Sequence, residues 1–194
     1  MAAGRVSAVD PPVVTLICGA SGVGKTSVAR PLAMRWGVPL AEADDVVTAL
    51  LALTTPQSHP VLHRSAMGRP PEEIVAHLLA VSAALAPGFR AVVADHVTFR
   101  QRVVMEGDWL TPDLVAGIDG AGAVVIGEPD EDRIAANYLR REPDAGPQPE
   151  RARVSVLHGA ALAAAARAAG VPVVPAWPFD TALDRVERAI FQAA

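Results

Sequence analysis

Apolar and polar residues form alternating blocks along the chain, with lengths that fit buried strands and amphipathic helices. Five short runs rich in valine, leucine, isoleucine and alanine have the composition of buried parallel strands. They cover residues 12–18, 38–41, 102–106, 123–127 and 171–175. Segments with helical spacing of apolar residues lie at 27–36, 71–86, 130–141, 151–169 and 180–191. Strands separated by helices predict an α/β fold, with right-handed crossovers and helices on both faces of a parallel sheet.

The first apolar run leads into an eight-residue motif, Gly19–Thr26, with the sequence GASGVGKT. This matches the P-loop pattern G-x-x-x-x-G-K-[ST], which is informative when a strand precedes it and a helix follows. Both conditions hold, because residues 12–18 precede it and the helical pattern of 27–36 ends at Gly37, a C-cap signal. Pro31 in the second helical turn predicts a local distortion of that helix.

A P-loop binds phosphate because its glycines let the backbone fold around the anion, with N–H groups and a helix N-terminus pointing at it. Lys25 would reach the β- and γ-phosphates of a nucleotide, and the Thr26 hydroxyl would bind Mg²⁺. We therefore predict ATP and Mg²⁺ as cofactors. The predicted phosphate-binding residues are Gly19, Ala20, Ser21, Gly22, Val23, Gly24, Lys25 and Thr26.

The chain uses arginine far more often than lysine. Of the 17 lysines and arginines, Lys25 is the sole lysine. Its place inside the P-loop fits a functional requirement, because a slim ammonium fits between phosphate oxygens better than a planar guanidinium, and the alternative is chance. The guanine-binding signature N-K-x-D needs a second lysine, so a GTPase is disfavoured.

Length and charge narrow the class of protein further. With 194 residues, one domain over residues 11–194 is expected after a flexible N-terminus of residues 1–10. The formal net charge is −4 and no basic block occurs, so we expect no nucleic-acid partner. No apolar run approaches the roughly 20 residues of a membrane span, and no signal peptide is visible. The single cysteine, Cys18, fits a cytoplasmic location. The sequence does not indicate the oligomeric state.

Carboxylates follow the second and third predicted strands. Asp44 and Asp45 follow the second, and Glu106 and Asp108 lie at the end of the third. Ligands of parallel sheets bind beyond the carboxyl ends of the strands. Asp44 or Asp45 could take a proton from an attacking hydroxyl, or one of them could cap a helix. Glu106 and Asp108 could hold Mg²⁺ or a substrate group, the alternative being a solvated turn.

A turn-rich segment at residues 54–64 lies above the same edge of the predicted sheet. His59, His63 and Arg64 are its candidate contacts to a substrate, with loop capping and a surface arginine as the alternatives. The two histidines lack the glutamate and the helical context of a zinc motif, so no zinc site is expected.

Arginines cluster around a second loop, between the helical patterns at 130–141 and 151–169. A proline- and glycine-rich stretch is bracketed by Arg133, Arg140, Arg141, Arg151 and Arg153, and a mobile segment of this kind could close over ATP. Its arginines would then neutralise charge that develops during phosphoryl transfer. We predict a lid at about residues 138–153, the alternative being a flexible surface loop.

Several stretches together resemble bacterial proteins described as 2-phosphoglycerate kinase-like. They are GASGVGKTSVARPLAMRWGVPLAEADDVV, TTPQSHPVLH, VVMEGDWL, EPDEDRIAANYLRREPD and VPVVPAWPFDT. The layout is more distantly similar to shikimate kinase, gluconate kinase and chloramphenicol phosphotransferase. The resemblance implies a P-loop three-layer α/β sandwich with a five-stranded sheet in the order 2-3-1-4-5 and a helical lid. It also implies that Asp44 or Asp45 lies near the acceptor hydroxyl.

The resemblance also bears on residues 70–97, within an acceptor-covering segment of about 54–97. It implies helices broken at Pro87–Gly88, although residues 90–94 could instead form a strand. The predicted function is ATP-dependent phosphorylation of a hydroxylated metabolite or antibiotic, with Lys25, Asp44 or Asp45, and the lid arginines as the catalytic groups. An ATP-dependent switch or binding module without an acceptor is the alternative.

Overall fold

The structure, a computed structural model, describes residues 10–193. Nearly all of the predicted flexible N-terminus therefore lies outside the described residues. Five strands form one parallel sheet in the order β2-β3-β1-β4-β5, which confirms the predicted fold and strand order. The strands are β1 (Val14–Cys18), β2 (Leu40–Glu42), β3 (Val103–Gly107), β4 (Ala121–Gly127) and β5 (Val173–Pro175).

Seven α-helices connect and cover the strands in the described part of the chain. They are α1 (Lys25–Trp36), α2 (Ala43–Leu53), α3 (Pro60–His63), α4 (Pro71–Thr98), α5 (Glu131–Arg141), α6 (Pro149–Ala168) and α7 (Ala182–Ala193). Short 3₁₀ helices occur at Pro112–Val115, Pro143–Ala145 and Phe179–Thr181. Helix α1 ends as predicted at Gly37, which has a φ of 64° and donates its N–H to the Met34 carbonyl.

Alternate residues of the central strands face two separate cores, because successive side chains of a strand point to opposite faces of the sheet. Ile17, Val124 and Ile126 join the core formed with α1, α5 and α7. Leu16 and Val125 face the other core, which α2, α4 and the second half of α6 complete. All five residues of β1 are buried, as expected for a central parallel strand.

The predicted break at Pro87–Gly88 is wrong, and so is the alternative strand at 90–94. Helix α4 runs through both positions for 28 residues with Pro87 in its interior. A proline costs one backbone hydrogen bond, but the core residues Val81, Leu85, Phe89 and Val93 recur every four positions across it. This stripe lies against the second core on both sides of Pro87, so tertiary packing overrides the local helix-breaking signal.

Helix α4 is also long and apolar enough, by length and composition, to cross a membrane. Core helices of large α/β domains commonly pass the same test. Here α4 packs against α6 and β1, and the four core residues of its stripe are at most 5% exposed.

Candidate active site

A cleft of about 860 Å³ lies at the carboxyl edge of the sheet, with residues 21–27 of the P-loop and α1 on one side. The ends of β2 and β3 form a second wall, and α5 with the start of α6 forms a third. We refer to it as the P-loop cleft. It occupies the place where the sequence predicts ligand binding.

Three glycines of the P-loop, Gly19, Gly22 and Gly24, adopt backbone conformations that other residues rarely take. Gly22 has a φ of 77° and Gly24 a φ of 97°. A Cβ atom on Gly22 would lie 2.9 Å from Cζ of Tyr138, and one on Gly24 would lie 2.6 Å from Cε1 of Phe179. The loop, which follows β1, is therefore packed closely between α5 and the Phe179–Thr181 helix.

The peptide N–H groups of the loop are available to a ligand. No backbone carbonyl among residues 10–193 accepts a hydrogen bond from the amides of residues 20–24. A run of unused N–H donors at the start of a helix, closed by a lysine, is the arrangement that binds phosphate oxygens.

Each P-loop side chain of interest contacts a different carboxylate of β3 or the turn after it. The Lys25 ammonium donates to the Ala20 carbonyl at 2.9 Å and to the carboxylate of Asp108. The Thr26 hydroxyl donates to Oε1 of Glu106 at 2.6 Å. The structure therefore brings together these four predicted site residues, although they lie some 80 positions apart in the sequence.

The Thr26–Glu106 pair has the chemistry of a magnesium site. Mg²⁺ prefers oxygen ligands and is usually held by one or two carboxylates together with substrate phosphates and waters. A hydroxyl and a carboxylate in direct contact beside the phosphate-binding loop fit that preference. Among residues 10–193, no group of three or more histidine, cysteine, aspartate or glutamate side chains is arranged to hold a metal.

Burial dominates the electrostatics of Glu106, which is 6% exposed. Burial raises the pKa of its carboxyl group, and the neighbouring carboxylates of Glu42 and Asp108 raise it further. The Thr26 hydrogen bond and the Lys25 charge act in the opposite direction without cancelling the effect. The site therefore holds a carboxylate that costs free energy when ionised, and a cation would relieve this cost.

We expect Glu106→Gln to stabilise the protein in the absence of ligands, increasingly so as the pH rises. The raised pKa means that the folded state holds this proton more tightly than the unfolded chain does. The contribution of Glu106 to stability therefore falls as the pH rises from the ordinary value of 4.5 through the raised one. Denaturant titrations of both proteins at pH 4 to 8 measure the difference. A stability gain that is independent of pH would contradict this assignment.

Glu42 is a cleft residue that the sequence prediction missed. The predicted second strand ended at Ala41, whereas β2 extends to Glu42 and pairs this residue in register with Glu106 of β3. Glu42 lines the P-loop cleft and adds to the negative charge around Glu106. The sequence does contain a signal for Glu42, because it is a carboxylate directly after an apolar run.

The structure separates the two adjacent aspartates of α2. Asp44 lines the P-loop cleft and accepts a hydrogen bond from the indole nitrogen of Trp109 at 2.9 Å. Asp45 is exposed and is not part of the cleft lining. Neither is the N-cap of α2, because Glu42 holds that position. Of the two candidates for a base, Asp44 is the one beside the phosphate-binding loop.

Three arginines approach the P-loop cleft from the predicted lid. Arg140 and Arg141 end α5, and Arg151 lies in the first turn of α6. Arg141 and Arg151 flank the ring of Tyr138, at 5.2 and 4.1 Å from its centroid. Both also donate to the carboxylate of Glu142, at 2.7 Å each at the closest. All three belong to the arginine cluster of the predicted lid.

Arg133 lies in the first turn of α5 and is not part of the cleft lining. Its guanidinium stacks over the ring of Trp177 at 5.1 Å and pairs with Glu128 and Asp130, at 3.6 and 3.2 Å. Trp177 in turn contacts Phe179 edge to face, and Phe179 does line the cleft. This places a flat arginine–tryptophan surface close to one end of the P-loop cleft.

The structure does not bring the predicted contacts of the 54–64 segment into the P-loop cleft. Nε2 of His63 is 2.9 Å from the Thr54 hydroxyl, and Nδ1 of His59 is 3.0 Å from the Ser58 hydroxyl. Arg64 lines a separate cavity of about 520 Å³ between α3 and α4. These side chains serve the local structure of their segment in this conformation.

The fold matches solved structures of small-molecule kinases at low sequence identity. A gluconokinase from Sinorhizobium meliloti is 19% identical, with 94% of each chain covered and a TM-score of 0.52. A shikimate kinase from Acinetobacter baumannii, in complex with shikimate, is 14% identical, with 94% of this chain and 92% of that one covered and a TM-score of 0.55. A protein from Thermus thermophilus is 17% identical, with 94% and 98% covered and a TM-score of 0.55.

The chain therefore has the fold of the P-loop small-molecule kinases. No protein-family model matches the sequence, and a search of curated proteins found no relative. The likeness is one of fold, and the chemistry has to be argued from the side chains of the cleft.

Proposed function

We propose that this protein transfers the γ-phosphoryl group of ATP to a hydroxyl group of a small molecule. The observation that carries the proposal is the double contact between the P-loop and β3, in which Lys25 meets Asp108 and Thr26 meets Glu106. It assembles a phosphate-binding lysine, a pair of magnesium-type ligands and a chain of carboxylates within one cleft. Phosphoryl transfer requires these components and little other covalent chemistry from the protein.

The nucleotide end of the site consists of the loop amides, Lys25 and the arginine–tryptophan surface. The amides of residues 20–24 and the Lys25 ammonium would bind the β- and γ-phosphates. Arg133 and Trp177 would accept the base, because guanidinium and indole planes both stack on nucleobases.

Thr26 and Glu106 would hold Mg²⁺, and Glu42, which pairs in register with Glu106, adds negative charge beside them. When bound, the ion neutralises negative charge on the phosphates. Asp108 would have a different role. Its carboxylate is bound to Lys25 and orients the ammonium towards the loop.

Asp44 would orient the acceptor hydroxyl and take its proton. Its carboxylate is fixed by Trp109 and faces the same cleft as Lys25. A general base must come within hydrogen-bond reach of the proton that it removes, and the cleft offers Asp44 that position. Asp45, one residue further along α2, is not part of the cleft lining.

The arginines of the lid would stabilise the charge that spreads over the transferring group. Glu142 and Tyr138 hold Arg141 and Arg151 together at the rim of the cleft. Phosphate oxygens compete for guanidinium groups more strongly than a single exposed carboxylate does, because several of them accept at once. Bound ATP would therefore draw these arginines inward.

Arg151→Ala is expected to lower kcat for phosphoryl transfer by roughly 100- to 1,000-fold, the range seen when one donor to transition-state charge is removed. Arg167→Ala is the matched control, since Arg167 lies in the last turn of the same helix and is exposed. Steady-state kinetics and thermal melts of both variants distinguish the loss of a catalytic contact from damage to α6. Equal losses of activity in both variants would show that the effect comes from damage to α6.

The proposed function is tested by incubating the protein with Mg²⁺, ATP and pools of hydroxylated metabolites and antibiotics. Mass spectrometry should detect a product heavier by one phosphate, formed together with ADP. ADP release that needs no acceptor, and that no pool accelerates, would favour the alternative of an ATP-hydrolysing switch.

A further inference from the structure

A second cavity, of about 910 Å³, opens beside the P-loop cleft. It lies between residues 65–70, the first two turns of α4 and the start of α6, two helices that pack directly against each other. We call it the outer cavity. Arg151 lines both spaces, so the two cavities adjoin at this side chain.

The walls of the outer cavity are mainly apolar, unlike those of the P-loop cleft. Ile74 and Leu78 present one face of α4, and Val154 faces them from α6. Met67 also lines the cavity although it is 91% exposed, which is unusual for a large apolar side chain. Flexible methionines at the edge of an apolar cavity are typical of sites that adapt to varied ligands. The size of the cavity suits a drug-sized molecule.

The arginines at the outer cavity are all engaged in ion pairs. Each arginine that lines it is paired with a carboxylate: Arg69 with Glu73 at 3.1 Å, Arg153 with Glu131 at 3.6 Å, and Arg151 with Glu142 at 2.7 Å. Glu131 and Glu150 themselves belong to the lining. An uncharged apolar group in the cavity leaves these ion pairs in place.

We propose that the acceptor is an amphipathic alcohol, with its hydroxyl in the P-loop cleft and an uncharged apolar body in the outer cavity. This inference rests on the proposed function, and it names the class of substrate for that site. The acceptor oxygen forms a bond to the γ-phosphorus, and the bond from that phosphorus to the β–γ bridging oxygen breaks. ADP leaves with the electron pair, and the hydroxyl proton passes to Asp44.

A small hydroxy acid would gain little from this architecture. It would leave the apolar surface of Ile74, Leu78 and Val154 in contact with water. An apolar body buries that surface, so affinity should rise with the length of the apolar chain. The preference of the protein for amphipathic alcohols over small hydroxy acids can therefore be measured.

The experiment compares two panels of acceptors on the full chain with Mg²⁺. One panel contains phenylalkanols of increasing length and hydroxylated amphipathic antibiotics, and the other contains gluconate, shikimate and 2-phosphoglycerate. ADP release gives kcat/KM with ATP, and calorimetry gives Kd with a non-hydrolysable ATP analogue. We expect the first panel to bind and to react better, with kcat/KM increasing along the phenylalkanol series.

Two variants locate the effect in the outer cavity. Leu78→Trp fills it and should weaken binding of the longest phenylalkanol by roughly 10- to 200-fold, the range for lost fit in an apolar pocket. Ile74→Gln makes the same face polar and serves if the larger side chain prevents folding. Met34→Trp, at a 78% exposed position on α1, is the control that should change nothing. Affinity for the ATP analogue should remain unchanged in all three.

The outcomes separate this inference from the proposed function. Binding of phenylalkanols that Leu78→Trp or Ile74→Gln weakens supports the outer cavity as a ligand site, and a lack of phosphate transfer would then count against the kinase assignment alone. Preferential phosphorylation of the small acids would overturn the inference and leave the kinase assignment standing. Absent binding of phenylalkanols, or binding that neither variant alters, would also overturn it.

Discussion

Lys25→Ala should lower kcat/KM for phosphoryl transfer by roughly 100- to 1,000-fold, the cost of removing one donor to charge in a transition state. The ammonium is 6% exposed and lies between the Ala20 carbonyl and the Asp108 carboxylate. No other lysine exists in the chain to replace it. Nucleotide affinity should fall as well, because the same ammonium binds the phosphates in the ground state.

The fold should survive this substitution. The Asp108 side chain is 31% exposed, so water can solvate its carboxylate once Lys25 is gone. Thermal melts should therefore show folded protein, and steady-state kinetics with calorimetric ATP binding measure the loss. Lys25→Arg is the informative companion, since it keeps the charge but replaces a compact ammonium with a planar group, and it should not restore activity. Normal turnover by a folded Lys25→Ala protein would refute the P-loop assignment.

Asp44→Asn should lower kcat by roughly 100- to 10,000-fold, the usual contribution of a general base. The amide keeps the size of the side chain and can still accept a hydrogen bond from Trp109, but it cannot take a proton. Because the substitution leaves the P-loop intact, ATP affinity should remain close to that of the unaltered protein.

Asp45→Asn provides a matched control at the neighbouring position. The residue type, the helix and the change are the same, but the side chain is exposed and not part of the cleft lining. We expect nearly unchanged kcat, and single-turnover kinetics would show whether the chemical step is affected. A large loss with Asp45→Asn and none with Asp44→Asn would exchange the two roles.

The central part of the fold could be predicted from the sequence because it depends on local signals. Continuous apolar runs mark strands that are buried on both faces, and β1 is buried throughout. The P-loop motif then fixes the strand–loop–helix order around Gly19–Thr26. The exception was α4, where the local signal of Pro87 and Gly88 opposed a core stripe that only the complete structure reveals.

The candidate site was predictable to the level of strand ends and no further. Carboxylates after two neighbouring strands had to lie near the loop, but a shift of one residue in β2 decided that Glu42 belongs to the cleft. Sequence order could not distinguish Asp44 from Asp45, because their helical phase decides which of them faces the loop. Arg151 could be assigned to the lid from the sequence, but its contact with the ring of Tyr138 depends on how α6 packs.

The hydrogen bond between Trp109 and Asp44 gives the chain an optical reporter of the proposed acceptor site. The chain has three tryptophans, and the other two lie in different surroundings, since Trp36 donates to Glu187 and Trp177 stacks beneath Arg133. Indole emission responds to charge placed beside the ring nitrogen. A change in the ionisation of Asp44, or an acceptor that displaces the indole, therefore alters the light emitted by one identifiable side chain. Substrate searches can then be followed by intrinsic fluorescence, without a coupled assay and before the product is known.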